Sequence, residues 1–450
     1  MTEVPSGWRR VTLSEVAETA LGKMLDKGKS KGYPHVPYLR NVNVQWGRID
    51  TDDMLTMELA DDERDRFGVL PGDLLICEGG EVGRAAIWTH DGGYIAYQKA
   101  LHRVRPGDNV DARFLRYMLE YSARAGVLAP LTTGSTIAHL PQQNLRKIPF
   151  LLPPLSEQER IVEVLEDYLS RLDAGVDYLN AARRRCALYE DATIMRALGS
   201  TESRQDGVEQ IINGHLPALA EGWSWQTLGE VADVVGGVTK DAKKQSDPSY
   251  IEVPYLRVAN VQRARLDLEN VTTLRVPPAK VEALRLLKGD VLMNEGGDRD
   301  KLARGWVWDG QIEECIHQNH VFRARPRDTM RSEWLAWCAN TYGARWAQRH
   351  GKQSVNLASI SLKVIKTMPI PVPPLSEQDE RLAQIHEAVS RSRRLIGEVE
   401  IGLARADRLR RSLLTAAFSG RLTGAASAVE RVEEIAADVV EAEAPEGVLV

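Results

Sequence analysis

Apolar residues recur at alternating three- and four-residue spacing through Leu382, Ile385, Val389, Ser392, Ile396, Val399, Leu403 and Ala406, with only Ser392 interrupting them. That is a heptad seam. A similar seam runs through Leu165, Tyr168, Leu172, Val176, Leu179, Ala182, Cys186 and Tyr189. Each seam follows a Pro-Pro pair, Pro153-Pro154 or Pro373-Pro374, which blocks any earlier helix. Ser156 with Glu159 fits a capping box and Gly199 a stop; Ser376, Asp379 and Gly420 repeat the design. The pattern predicts long helices within 153–200 and 373–424. A lone helix of about 43 residues would be roughly 64 Å long and could not bury such a stripe by itself. The two are therefore expected to pair antiparallel, with Leu165, Leu172, Leu179, Ile385, Val389, Ile396, Val399 and Leu403 as pairing residues. The segments 1–152 and 206–372 instead hold short apolar runs (LLIC, AAIW, VLM, WVW) punctuated by Gly and Pro. They read as α/β, mixed α+β domains of strands and loops, with a short helix around 113–125. In the remaining tail, 425–450, Val429, Val432, Ile435 and Val439 are spaced for a short amphipathic helix.

The elements occur twice. GWRRVTLSEVAE from Gly7 is echoed by GWSWQTLGEVAD from Gly222, PYLRNVNVQWGRID from Pro37 by PYLRVANVQRARLD from Pro254, and LPGDLLICEGG from Leu70 by LKGDVLMNEGG from Leu287. YQKALHRVRP from Tyr97 and PPLSEQER from Pro153 return in the same order as HQNHVFRARP from His317 and PPLSEQDE from Pro373. So long a period marks duplication of a whole domain with its connector, and two such modules imply pseudo-twofold symmetry.

Composition narrows the class. A chain of 450 residues with 43% apolar content is too long for one ordinary core. No stretch has the roughly 18 to 20 uncharged apolar residues of a membrane span, and MTEVPSGWRR lacks the apolar centre of a signal peptide, so a cytoplasmic location and no membrane partner are expected. Cys77, Cys186, Cys315 and Cys338 are scattered without C-x-x-C pairing, which argues for buried thiols and against a disulfide framework or a zinc cage. The net charge of -5 is concentrated in the tail, where Arg431 stands against Glu430, Glu433, Glu434, Asp438, Glu441, Glu443 and Glu446. The body is near neutral, and local basic loops can still meet DNA.

The repeated PPLSEQ start of a long helix, the PYLR and GD-L-(x)n-EGG elements, and the ending LLTAAFSGRLTG near Leu413 together resemble a specificity subunit of a type I restriction-modification system. The resemblance covers about residues 7–424. It implies two target-recognition domains, each reading one half of a bipartite asymmetric site in double-stranded DNA, separated by helices that set an unread spacer. It implies partners as well: two methylation subunits, with restriction subunits in the full complex. Methylation and ATP-driven cleavage would then belong to those partners, and no cofactor is expected on this chain.

The residues agree with a chain lacking its own chemistry. Both Pro-Pro pairs follow Leu or Val, so no N-P-P-[FY] element of an adenine methyltransferase is present. GARWAQRHGKQS from Gly343 has the wrong spacing for a phosphate loop and carries Gln353 where Ser or Thr is required. Cys315, His317 and His320 form a C-x-H-x-x-H cluster without a second cluster, better read as strand residues with both histidines near a DNA face than as metal ligands. Glu295, Asp298 and Asp300 lack a lysine two residues after an acid and read as a solvated loop, not a nuclease centre. A protein–protein scaffold built on the paired helices stays open from the residues alone, although the basic loops favour DNA.

Comparison of the copies sorts the candidate contacts. Arg40 and Arg257, Asp73 and Asp290, the pairs Gly79-Gly80 and Gly296-Gly297, and Gln98 and Gln318 are identical, so they serve the fold or sequence-blind phosphate contact. Three segments differ. Lys23, Lys27, Lys29 and Lys31 correspond to Lys240, Lys243 and Lys244, loops suited to phosphates. After the double glycine, Arg84 in the first copy faces Arg299, Lys301 and Arg304 in the second, candidate readers of guanine edges. The third segment carries Thr133, Ser135, Gln142 and Gln143 in one copy and Lys352, Gln353, Ser354 and Asn356 in the other, types that contact phosphates or base edges. His320 joins this set.

Overall fold

In the computed structural model of the chain the described residues are 4–25, 32–134, 138–199, 210, 211, 213–241, 245–353, 357–423 and 428–441. The chain divides into two compact units, Met1–Asn180 with Val399–Val450, and Ala181–Glu398. The long helices Leu155–Ala197 and Leu375–Phe418 each contribute to both units.

The units repeat one plan. In the first, a four-stranded antiparallel sheet has the order Ala17–Leu21, Leu101–Pro106, Leu74–Cys77, Ala85–Ile87. In the second the order is Ala232–Gly236, Val321–Pro326, Val291–Asn294, Gly305–Val307. A smaller mixed sheet sets His35–Leu39 between Leu55–Glu58 and the parallel strand Ala96–Tyr97, repeated as Ile251–Leu256 between Thr272–Val276 and Ile316–His317. Two further pairs, Arg9–Thr12 with Pro149–Leu152 and Ser224–Thr227 with Pro369–Val372, join the start of each domain to its end, just before the Pro-Pro pair.

The repeated GD motif stabilises the larger sheet. Asp73 is buried, accepts the Leu70 N–H (2.8 Å) and takes a two-pronged ion pair from Arg105 at 2.7 and 2.8 Å. Asp290 does the same with the Leu287 N–H (2.7 Å) and Arg325 at 2.7 and 2.9 Å. A buried carboxylate is tolerable only with such complete pairing.

Each core is closed by both long helices. In the first unit Phe114, Leu115 and Met118 of the helix Ala112–Arg124 cluster with Leu74 and Ile76, with Ile161, Leu165 and Leu169 from the start of the first long helix, and with Leu413, Leu414, Ala417 and Phe418 from the end of the second. The Phe418 ring lies 5.2 Å from Phe114 and 5.3 Å from Tyr121. In the second unit Trp334 and Leu335 cluster with Val291 and Phe322, with Ile194, Ala197 and Leu198 from the end of the first long helix, and with Leu382, Ile385 and Val389 from the start of the second. Start beside end is the antiparallel arrangement. Leu172 lies at the edge of the first core, and a Cβ on Gly402 would sit 3.1 Å from Leu179. Val399 is buried, while Ile396 and Leu403 are half-buried. Tyr189, placed on the seam by heptad spacing, is 52% exposed. A straight helix drifts by roughly 20° per heptad against that spacing, so the stripe has moved to Ile194, Ala197 and Leu198 by the helix end.

The helix starts also differ from expectation. They begin at Leu155 and Leu375, so Ser156 and Ser376 lie inside the first turn and are not caps. The Pro154 carbonyl accepts the N–H groups of Glu157 and Gln158, at 2.9 and 3.0 Å. Gln158 fixes the junction. Fully buried, it donates to the carbonyls of Pro153 (2.9 Å) and Asn109 (3.1 Å) and accepts the Asp111 N–H (2.9 Å). Gln378 repeats this with Pro373, Thr329 and the Arg331 N–H, each at 2.9 Å. The helices end before Gly199 (φ +95°) and Gly420 (φ +74°), left-handed positions that suit glycine.

One equivalent position is filled differently. Counted from Asp111 and Arg331, Glu120 of the first copy corresponds to Asn340 of the second. Glu120 is fully buried and accepts from Arg116 (3.1 Å), Arg124 (3.1 Å) and Arg410 of the second long helix (3.2 Å). Arg410 also pairs with Asp173, and Arg124 with Asp407. Asn340 instead bonds to backbone only. In the tail, helix Ala428–Glu441 buries Val432 and Val439 and packs Ile435 on the first core, while Val429 is 54% exposed. Cys77, Cys315 and Cys338 are buried free thiols and Cys186 is half-buried.

Replacing Gln158 by Ala leaves a buried N–H and carbonyls without partners and should cost the first unit about 2–4 kcal/mol in urea unfolding, with Q378A doing likewise for the second. S156A should stay within about 0.5 kcal/mol of the parent, because Ser156 caps nothing. Equal effects of Q158A and S156A would mean that the glutamine lock is unimportant.

Candidate nucleic-acid interface

Backbone pairing brings the described parts of the variable segments of each copy to one place. In the first unit the Lys23 N–H donates to Tyr97 O and the Lys99 N–H to Lys23 O, both at 2.9 Å, so the basic loop departs beside Gln98. Gln98 N–H donates to Leu39 O (3.0 Å), next to Arg40, and Glu78 N–H to Ala100 O (3.0 Å), at the double glycine. Gly79 bridges to His139, which exchanges two 2.8 Å bonds with Thr133 in the third segment. The second unit repeats the frame: Val238 pairs with Gln318, Gln318 N–H donates to Leu256 O (2.9 Å), and Glu295 N–H to His320 O (2.9 Å). There Gly296–Gly297 pairs with Ala358–Ser359, which pairs with Lys352–Gln353.

Glycines permit this convergence. A Cβ on Gly22 would lie 2.3 Å from Gln98 O, and one on Gly237 2.1 Å from His317 O. These two were missed in the sequence, where their repetition just ahead of each basic loop was the available signal. Asn41 was missed too; its Nδ2 donates to Gly79 O at 2.8 Å.

The candidate side chains differ in exposure and in engagement within the fold. Thr133, Gln143, Lys240, Arg299, His320, Lys352 and Gln353 are exposed. Others are engaged within the fold: Lys23 pairs with Glu63, Arg40 with Asp53 (2.6 Å), Lys301 with Asp298, and Gln142 donates to Thr19 O (2.9 Å). Arg84 is 16% exposed on its side chain and donates to Asn41 O at 3.0 Å. Arg257 reaches Asn270 O only at 3.5 Å; Gln98, Gln318 and Arg304 are half-buried. Lys27, Lys29, Lys31, Ser135, Lys243, Lys244, Ser354 and Asn356 lie outside the described residues.

One expectation fails. His317 lies in a strand, yet it is fully buried and cannot face DNA; its Nδ1 donates to Val321 O at 2.7 Å, and its buried Nε2 has no partner. The physical reason is register, which pairs Leu256 with His317 inside the mixed sheet. Burial pushes the His317 imidazole down to about 4. His320 alone reaches the surface, beside Glu295 at 2.9 Å. No group of three or more His, Cys, Asp or Glu suited to a metal occurs among the described residues.

Two copies of one frame, each presenting a different set of polar side chains, define a two-headed recognition protein. A family model described as type I restriction modification DNA specificity domain matches residues 5–176 and 220–400, and the chain belongs to this family. It is 23% identical to the type I restriction enzyme StySPI specificity subunit of Salmonella potsdam, over 94% of this chain and 90% of that protein. It is 22% identical to the EcoKI specificity subunit of Escherichia coli K12, with the same coverages. Among solved structures, a chain from a study of complex assembly and conformational transition of the type I R-M system superposes with TM-score 0.72 at 20% identity, covering 93% of this chain and all of that one. The HsdS subunit from Thermoanaerobacter tengcongensis gives 0.51 at 19% identity, covering 94% and 100%. The chain is thus a specificity subunit that recognises DNA sequence and leaves catalysis to methylation and restriction partners. No helix among the described residues is long and apolar enough to cross a membrane.

His317 supplies a pH test. Between about pH 4 and 6.5 the unfolded chain protonates this imidazole while the folded one does not. The unfolded state then binds more protons, so stability rises with pH across that window, by up to about 3 kcal/mol from this group. Melting followed from pH 5 to 7.5 should show a steeper acid loss for the parent than for H317Q. Identical slopes would remove His317 as the cause.

Proposed function

We propose that residues 1–152 and 206–372 are target-recognition domains, each reading one half of a bipartite asymmetric site in double-stranded DNA. The segments 153–200 and 373–424 set the unread spacer and dock two methylation subunits, restriction subunits joining in the full complex, in the cytoplasm; 425–450 is an acidic tail. The observation that carries this reading is the repeated frame, in which segments that differ between copies converge on the turn at Gln98 or Gln318. Lys240, Lys352 and the lysines of 27–31 and 243–244 are assigned to phosphates, with Thr133, Ser135, Gln143, Arg299, His320, Gln353, Ser354 and Asn356 as further contacts. The frame itself, with Arg40, Arg257, Gln98 and Gln318, positions them.

The test is reconstitution with methylation subunits on a random duplex library. A scaffold would show no sequence preference. Exchanging residues 1–152 for the matching domain of another specificity subunit should change one half-site and leave the other intact. If both change together, recognition is not modular. Adding one heptad to both long helices lengthens each by about 10 Å, close to three base pairs at roughly 3.4 Å per step. The methylated site should gain spacer or be lost, and an unchanged site at full activity would refute the ruler.

A further inference from the structure

The two copies place one arginine at the same point of the frame but occupy it differently. Arg84 O accepts the Cys77 N–H (2.8 Å), as Arg304 O accepts the Asn294 N–H (3.0 Å), so the residues are equivalent. Arg84 is braced: one terminal nitrogen donates to Asn41 O at 3.0 Å and the other lies 3.5 Å from Glu81 Oε2. The Arg304 side chain has no hydrogen bond or ion pair to any described residue; its Nε, like that of Arg84, is buried without a partner, so the two arginines differ at their terminal nitrogens. The neighbouring Lys301 is taken by Asp298, and Arg299 reaches Gln348 O only at 3.5 Å.

The backbone beneath Arg304 is nevertheless firmly held. Asn340 clamps the next residue, accepting from Gly305 N–H (3.1 Å) and donating to Gly305 O (2.7 Å). Gly305 packs so closely that a Cβ there would lie 1.6 Å from Leu292 O. Burial pushes the Arg304 guanidinium below its usual value, with Asp300 and Asp298 partly offsetting this. The buried Nε lacks an acceptor, while the two terminal nitrogens are not buried and stay available to donate to a ligand from a firmly held backbone. An arginine fork matches the adjacent O6 and N7 acceptors of guanine in the major groove.

We propose that Arg304 is the specificity-determining arginine of the second domain, supplied with its missing acceptors by a guanine edge, whereas Arg84 is a brace within the first domain. This rests on the DNA-recognition reading above. Asn340 and Gly305 act as positioning residues.

The experiment uses the full chain with its methylation subunits, sequencing methylated sites from a random duplex library, beside melting of the chain. R304A should melt as the parent does, since no internal bond is lost, and should relax preference at one G·C pair of the second half-site roughly tenfold or more. R304K should relax the same pair, because lysine cannot make the two-pronged contact. R84A should lower the melting midpoint. An unaltered second half-site in R304A overturns the proposal. So does a uniform loss of methylation with a shallower salt dependence, the mark of a phosphate contact, or a fall in melting midpoint as large as that of R84A. If the parent complex itself yields no bipartite site, the DNA reading falls and the proposal with it, an outcome distinct from the others.

Discussion

A helix of more than forty residues carrying one apolar stripe has to find cover, and this chain finds it at the ends of each helix as well as along its length. The first unit's core includes Leu413, Leu414, Ala417 and Phe418, and the second's includes Ile194, Ala197 and Leu198. Neither unit is therefore a contiguous stretch of sequence. Each is completed by the helix that follows the other domain, and the glutamine locks at Gln158 and Gln378 fix where its own helix departs. The stability of either head depends on residues from both halves of the chain.

On that foundation the proposed recognition surface separates backbone from side chain. The frame uses main-chain hydrogen bonds, which any sequence can supply, and glycines such as Gly22 and Gly237 where backbones touch. Side chains at the exposed positions are then free to differ without disturbing the core. Asp73 and Asp290 stand at the other extreme, buried and doubly paired, and their identity in the copies reflects the sheet and not the ligand.

Much of this was legible in the sequence because duplication acts as an internal comparison. The antiparallel helices and the grouping of identical against differing segments followed from spacing and repetition. What escaped depended on register and tertiary contact. His317 looked like a surface group until its pairing with Leu256 put it inside a sheet. Ser156 matched a capping pattern, but a proline carbonyl and a buried glutamine four residues beyond the proline pair hold the helix start instead. Arg84 and Arg304 are indistinguishable as letters, and only the surroundings show the terminal nitrogens of Arg84 engaged and those of Arg304 without a partner among the described residues.

Glu120 carries an implication for how such chains can diversify. Its buried carboxylate is neutralised in part by Arg410, nearly three hundred residues away in sequence. A gene segment that ends at the Pro153-Pro154 junction would carry the acid and leave that arginine behind. Arg116 and Arg124 travel with the acid, so the loss of Arg410 removes one of three pairings and costs less than the roughly 3–5 kcal/mol of a buried carboxylate left wholly unpaired. Recombination is thereby biased towards donors whose distal helix already carries a matching base, or towards domains with an uncharged residue there, as Asn340 is in the second copy. An exchange of residues 1–152 therefore keeps two of the three partners of this acid and gains from a matching base at position 410.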